Sequence, residues 1–426
     1  MTGTYDVAIA GAGPAGAQCA RDLATRGYDV VVLETESEDE FPRTSNKSTA
    51  GTFPSTLSAF GIPDEVVQHP TDSVVLESPS SYFVREQAGA VLEFGEFKNW
   101  LVDEGREQGA EYRFDARVTK PELEGDQLVG VRYNGSETVY ADIVIDATGP
   151  SAPLAKKLGV VDLKRENQAI GIEYEYEGIE IDHPEYADLS DAMMLRLDHD
   201  VAPGGYAWIF HTGEDTAKVG LCYIQSERYQ QYGRDGFTID DYLERWLESD
   251  PRFENAERIE GKQGHRGSAH IQLPTKMTTD SFIAIGDTVP SIDPVWGEGI
   301  GKCMRSGRIA AATADSALSP DEPDTSAQKL SVYERLWHRQ VAPNAKARLL
   351  MAKLLYLAPD ERYDDFMRDL RGLDDGALSR ANSGDPLAIA SLLHLEDVPT
   401  LAELAKEELH LDGHLGRLEK LLRSLR

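Results

Sequence analysis

The residues best placed to do chemistry stand at the start of the chain, in the turn Gly11-Ala12-Gly13-Pro14-Ala15-Gly16 and at Glu34. Gly11 permits a tight turn, Gly13 lets backbone approach a pyrophosphate, and Gly16 lets a helix pack closely on a strand. A helix opening there offers unpaired N–H groups and a positive dipole end to phosphates. Glu34 follows about 20 residues on, where a carboxylate accepts hydrogen bonds from an adenosine ribose. An acid at that place argues against a 2′-phosphate, so the spacing calls for FAD or NAD rather than NADP. Much later, Gly286-Asp287 closes another apolar run. Asp287 can bind a ribityl or ribose hydroxyl. Gly299 and Ile300, at a helix start, can offer N–H groups to a flavin ring.

A second group is aromatic. Tyr206, Trp208 and Phe210 alternate along a strand-like run, so their side chains share one face. That face reads either as the lining of an apolar tunnel or as an aromatic stripe in a sheet core. His211 beside it is a weak candidate proton donor, with a structural role as its alternative. Ser48-Thr49-Ala50-Gly51 either lets a planar ring approach the backbone or forms the end of a solvated polar loop that begins at Thr44.

These residues need elements to hold them. Tyr5–Ala10 and Val30–Leu33 read as buried strands around a helix over Ala17–Ala24, which gives a strand–helix–strand unit. Leu57–Val67 reads as a short helical piece, and Ser73–Val84 as strands. Phe94–Gln108 is an amphipathic helix. Glu111–Val118 reads as one strand, and Leu123–Tyr140 as strands joined at Glu124-Gly125-Asp126 and Asn134-Gly135. Asp146-Ala147-Thr148-Gly149 closes a further buried strand, whose end faces the ligand crevice of a doubly wound sheet. From Ala169 to Gln225 the chain is strand-rich and reads as an inserted antiparallel sheet. Phe282–Asp287 returns to the nucleotide-binding pattern and is followed by a helix through Ala312. Helices with polar connections fill the chain from Ser326. The sequence shows no internal repeat. The resulting division is 1–75, 93–160 and 276–320 for the nucleotide-binding unit, 76–92 and 161–275 for the substrate unit, and 321–426 for a helical region.

At 426 residues the chain exceeds one ordinary core. It carries 74 acidic against 43 basic residues, a formal net charge of −31. Such a surface repels nucleic acid and anionic bilayers. Its acids are spread along the whole length, which suits a protein adapted to high salt, where self-repulsion is screened, with an ordinary acidic cytosolic protein as the alternative. Cys19, Cys222 and Cys303 lie far apart and supply neither a metal framework nor a disulfide pattern, and no metal is expected. A strand close to the first residue and the lack of an apolar run of about 20 residues lead to the expectation of a cytoplasmic protein without a signal peptide. Peripheral contact with a membrane is left open, as is oligomeric state.

Three motifs in one order carry a resemblance. Gly11–Gly16 with Glu34, Asp146–Gly149, and Gly286-Asp287 with Gly297-Glu298-Gly299-Ile300 resemble the FAD-containing fold of p-hydroxybenzoate hydroxylase-like enzymes and geranylgeranyl reductases. Gly205–Phe210 followed by Val219-Gly220 looks like the Tyr-x-Trp-x-Phe-Pro signature of the reductases, with His211 in place of the proline. The resemblance implies an α/β architecture: a Rossmann-like FAD domain of glutathione reductase type 2, an inserted antiparallel substrate domain and a helical C-terminal region. It implies FAD contacts at Ala15, Glu34, Ala50, Gly51, Val118, Asp287, Gly299 and Ile300. It also implies saturation of geranylgeranyl double bonds in archaeal membrane lipids or their precursors, with Tyr206, Trp208 and Phe210 lining the isoprenoid tunnel. Members often carry cysteine where this chain reads Ser48–Gly51, and arginine where Phe94 stands. The electron donor is open between NAD(P)H, ferredoxin and a chemical reductant. The alternatives are a flavin monooxygenase or halogenase, and a non-catalytic carrier of prenyl lipids.

Overall fold

The computed structural model describes residues 4–43, 48–319 and 321–409. The beginning of the polar loop at 44–47, the last residue of the nucleotide-binding unit at 320, and the part of the helical region at 410–426 lie outside the described residues. β1 (Thr4–Ala10), α1 (Pro14–Ala24) and β2 (Val30–Leu33) form the expected strand–helix–strand unit. Pro14 opens the helix, where its missing N–H costs nothing. β1 pairs in parallel with β2 and, on its other side, with Glu137–Asp146. Phe282–Ala284 extends the same parallel sheet. Val7, Ile9, Val31, Val32, Ile143 and Ile145 are fully buried in a core completed by residues of α1, the helix after Ile300 and the hairpin over 118–133.

The second sheet takes β3 (Val67–Glu77), β4 (Tyr82–Leu92), β5 (Gln168–Glu177), β6 (Ala192–Arg196), β7 (Gly205–Gly213), β8 (Thr216–Ile224) and β9 (His265–His270). Pairing is antiparallel, as expected, except for one parallel seam where β6 lies beside β3. Alternation divides the faces of β7. Ala207 and Ile209 pack with Val219 and Leu221 beneath the helix Ile239–Ser249, which contributes Tyr242, Leu243 and Trp246. Tyr206, Trp208 and Phe210 turn the other way, toward the nucleotide-binding unit.

Two boundaries are corrected. Val67–Glu77 and the short strand Gly51–Thr52 belong to the second sheet, so that sheet begins well before residue 76. Glu111–Val118 is not one strand. Glu111–Arg113 completes the parallel sheet, and the chain then leaves it with Asp115 at φ +52° before a hairpin begins at Val118. The reason is local: Asp115 N and Ala116 N donate to the carbonyls of Glu36 and Glu34, at 2.8 and 2.7 Å. The segment pins the loop after β2 instead of continuing a ladder.

α2 (Ile300–Leu318) runs past Ala312 and packs on α1, with Gly307 close to the Ala15 carbonyl. α3 (Ala345–Leu357) and α4 (Asp360–Arg371) follow. Met351, Leu355, Phe366 and Leu370 from these helices share a core with Leu76, Leu195 and Trp208 of the second sheet. No helix among the described residues is long and apolar enough to cross a membrane.

Candidate active site

One cavity of about 1280 Å³ runs from the glycine turn of β1–α1, across the second sheet, to the C-terminal helices. Its polar end is built from turns that hold one another. Glu34 Oε2 accepts from Ala12 N at 2.8 Å, and Oε1 from Thr35 N at 2.7 Å, so the carboxylate clasps the glycine turn while lining the cavity. At Gly11, with φ +99°, a Cβ would sit 2.5 Å from the Ala147 carbonyl; at Gly13 it would meet nothing within 4 Å. Gly11 is therefore a packing necessity, whereas Gly13 leaves open space above the backbone. Asp146 is buried and accepts from Thr148 Oγ1 at 2.6 Å and Ala155 N at 2.9 Å. Burial raises its carboxyl, opposed by those bonds. Gly149 N donates to Thr288 Oγ1 at 3.1 Å, which ties this turn to Gly286-Asp287.

Asp287 lines the cavity beside Ser291, whose hydroxyl lies 3.1 Å from its Oδ1. Burial pushes its carboxyl up, so it is suited to exchange a hydrogen bond with a hydroxyl placed there. α2 begins after Gly299, and a Cβ on Gly299 would touch only Ile292, at 4.0 Å. The first N–H groups of α1 and α2 have no carbonyl within their own helices to meet, and both helix starts abut the cavity. Open backbone at Gly13 and Gly299, helix N-termini and a buried carboxyl together fit a dinucleotide cofactor.

The loop before α2 is fixed by one carboxylate. Asp293 accepts from Lys302 Nζ at 2.9 Å and from Arg348 Nε and Nη2 at 2.7 and 2.6 Å. Burial alone would raise its carboxyl, but the Lys302 and Arg348 charges bring it down to about 2. Gly297 has φ +67°, and the Tyr206 hydroxyl occupies the space where its Cβ would be. Tyr206 stacks in turn on Tyr356 of α3, with centroids 6.3 Å apart.

The aromatic face reaches the cofactor end. A Cβ on Gly51 would lie 2.5 Å from Phe210 Cε2, so Phe210 presses directly on the Ala50-Gly51 backbone. Trp208 lies across Gly220 of the next strand, where any Cβ would overlap the indole. Its Nε1 reaches past β8 to donate to Glu173 Oε2 at 2.7 Å. Met193, Leu195 and the C-terminal Met351, Leu355 and Phe366 extend the apolar wall.

Of the sequence-predicted residues, Gly11, Gly13, Glu34, Ala50, Gly51, Val118, Asp287, Gly299, Ile300, Tyr206, Trp208 and Phe210 all line this cavity. Gly16 instead packs α1 against the glycine turn, and a Cβ there would overlap the Gly11 carbonyl. Ala15 packs against Gly286 and Gly307, so only its backbone N–H belongs to the helix start. His211 does not reach the cavity. It faces the opposite side from Phe210, its Nδ1 accepts from Asp191 N at 2.9 Å, and its Nε2 lies 3.0 Å from the Glu214 carbonyl. It belongs to a cluster with His69 and Asp191, as a positional consequence of strand alternation. The sequence reading missed Glu173 and the wall from α3 and α4. Glu173 gave no local signal, because its place opposite Trp208 depends on strand register.

A model of the geranylgeranyl reductase catalytic domain matches residues 169–265, and one of the lycopene cyclase protein matches residues 6–194. Over 407 residues the chain is 67% identical to a digeranylgeranylglycerophospholipid reductase of Haloferax volcanii, covering 96% of this chain and 99% of that protein. Digeranylgeranylglycerophospholipid reductase 1 of Methanopyrus kandleri is 30% identical over 381 residues, 87% of this chain and 96% of that one. Among solved structures, a geranylgeranyl bacteriochlorophyll reductase-like protein of Thermoplasma acidophilum is similar at TM-score 0.77 and 21% identity, covering 98% of this chain and 99% of that one. The flavin-dependent brominase Bmp2 is similar at TM-score 0.69 and 19% identity, over 90% of this chain and 94% of that one. These two likenesses establish the fold.

Proposed function

The chain belongs to the digeranylgeranylglycerophospholipid reductase family, and from that premise we propose that it saturates geranylgeranyl double bonds of archaeal isoprenoid lipids with FAD as cofactor. The observation that carries the reading is the continuity of a dinucleotide-binding end with a long apolar slot in one cavity. Gly13, Ala15 and Gly16 at the start of α1 would hold the pyrophosphate, Glu34 the ribose, and Asp287 the ribityl chain. Ala50, Gly51, Gly299 and Ile300 would hold the ring. When bound and reduced, the flavin supplies hydride to an alkene carbon.

An isolated alkene is a weak electrophile, so the protein contributes alignment and dryness. Phe210 places a flat apolar surface against the Gly51 backbone, Trp208 continues the cavity wall, and Leu195, Met351, Leu355 and Phe366 exclude water around an extended chain. Tyr206, held between Gly297 and Tyr356, couples that surface to the loop before α2. A prenyl chain sliding along the slot presents successive double bonds to one position.

Electrons reach the flavin from NAD(P)H, ferredoxin or a comparable donor, and the lipid enters from a membrane surface. The test is to purify the protein, record its flavin absorbance, reduce it with dithionite and add digeranylgeranylglycerol phospholipid. Mass spectrometry is expected to show products heavier in steps of two hydrogens. Rapid oxygen-dependent consumption of NAD(P)H on substrate addition, with no saturated product, would instead favour a monooxygenase or halogenase. A colourless protein that binds the lipid unchanged would favour a carrier.

A further inference from the structure

We infer that Glu173 is the acid that delivers a proton to the double bond being saturated. The inference rests on the reductase reading above. Strand register puts His265, Glu173, Gly220, Trp208, Leu195 and Leu76 in one row across the cavity face of the second sheet. Glu173 is 3% exposed and forms part of the cavity wall. Its Oε2 accepts the indole N–H of Trp208, whereas Oε1 has no hydrogen-bond partner at bonding distance. Leaving a buried carboxylate oxygen without a partner is costly. In the neutral acid that oxygen carries a hydrogen and is a donor. Since Oε2 is occupied by an N–H, the hydrogen of the neutral acid belongs on Oε1, with the Thr49 hydroxyl close to the carboxyl.

The groups around it favour an acid able to give up its proton. Burial pushes the Glu173 carboxyl up; the Lys218 charge and the Thr49 and Trp208 side chains pull it down, and Glu175 on the same strand pushes it up again. Lys218 is fixed by the Thr49 and Leu92 carbonyls, at 3.2 and 2.9 Å. His265, in the adjacent row position on β9, is held down by burial and by the Lys218 charge. Burial thus favours the neutral carboxyl, while Trp208 and Lys218 stand ready to stabilise its anion.

Saturation adds a hydride at one alkene carbon and a proton at the other. The hydride is the cofactor's part of the reaction proposed above. The π pair forms the second C–H bond with the Glu173 proton, the O–H bond breaks, and the carboxylate left behind is reprotonated from water. Positive charge developing at the branched carbon of an isoprene unit meets the faces of Trp208 and Phe210, where ring quadrupoles stabilise it.

The deciding experiment compares wild type with Glu173→Gln in single turnovers of the flavin-loaded, dithionite-reduced protein. Loss of a general acid is expected to slow saturation by about a hundredfold or more, with flavin absorbance and lipid binding unchanged. A second readout needs no turnover. The infrared C=O band of a protonated carboxyl should persist in wild type above the ordinary glutamate range and be missing from Glu173→Gln. In Trp208→Phe its midpoint should move upward, because a donor that favours the anion is gone. Wild-type rates in Glu173→Gln, or the lack of such a band in wild type, overturn the assignment. A wild-type protein that leaves the lipid unsaturated overturns the reductase reading itself. Should Glu173→Gln fail to fold, the band in Trp208→Phe decides: an upward midpoint supports the assignment and an unmoved one overturns it.

Discussion

At the residue scale, Gly220 shows how a missing side chain can position a present one. The Trp208 indole crosses the strand beside it only because nothing projects from Gly220, and its N–H then meets Glu173 on the strand beyond. Gly220→Ala should cost about 1–3 kcal/mol through overpacking. It should also push the indole off Glu173, which is read as a lower Tm together with a changed tryptophan fluorescence spectrum. Unchanged values for both would refute this account of the glycine. Residues whose place in the cavity depends on local geometry were legible in the sequence. Gly11, Glu34 and Asp287 announce themselves by spacing along one chain segment, and Tyr206, Trp208 and Phe210 by simple alternation. Glu173 was not legible, because the run Ile172-Glu173-Tyr174-Glu175 looks like any half-exposed strand until its neighbours are known. The same alternation that places Trp208 in the cavity takes His211 out of it, which a reading from its place beside Phe210 alone does not supply.

At the element scale, Asp293 joins segments distant in the chain: the loop before α2, the first turn of α2 through Lys302, and α3 through Arg348. Asp293→Asn leaves two cations in a buried site without their counter-charge and should destabilise by about 3–5 kcal/mol, as a buried pair does when one partner is removed. Loss of flavin affinity should accompany it, since Gly299 and Ile300 lie on the same loop. The pH dependence has a definite sign. The folded carboxyl stands at about 2, below the ordinary aspartate value of about 3.9. Its contribution is therefore complete above that ordinary value and is lost as pH falls through about 2. Acid unfolding followed by circular dichroism should show wild type and Asp293→Asn well separated near neutrality and converging at the acid end. Equal stability at neutral pH would show that the ion pair does not hold the loop. Helices were legible over 321–409 from their composition, but which wall they complete was not. Met351, Leu355 and Phe366 look like an ordinary buried stripe, and nothing in that stripe says that its partner is the far side of a sheet some hundred and fifty residues earlier.

At the scale of the whole molecule, a formal charge of −31 acts against compactness wherever salt is low. The screening length shrinks from about 10 Å at about 0.1 M salt to about 3 Å at about 1 M. Tm is therefore expected to rise as potassium chloride is raised over that range, and a flat or falling Tm would contradict the reading of a salt-adapted surface. The buried pairs at Asp293 should respond far less, because buried pairs are screened much less than exposed ones. The division into a nucleotide-binding unit, an inserted sheet and a helical remainder was foreseeable from the order of the motifs. The early recruitment of Val67–Glu77 into the second sheet was not, because the parallel seam with Ala192–Arg196 joins strands whose pairing no turn announces. The far wall of the cavity has an evolutionary consequence of its own. Most of it comes from one unbroken stretch near the end of the chain, so changes at Met351, Leu355 or Phe366 can reshape the slot while Gly13, Glu34 and Asp287, on other segments, stay as they are. The girth and length of the slot can thus change without rebuilding the polar end of the cavity.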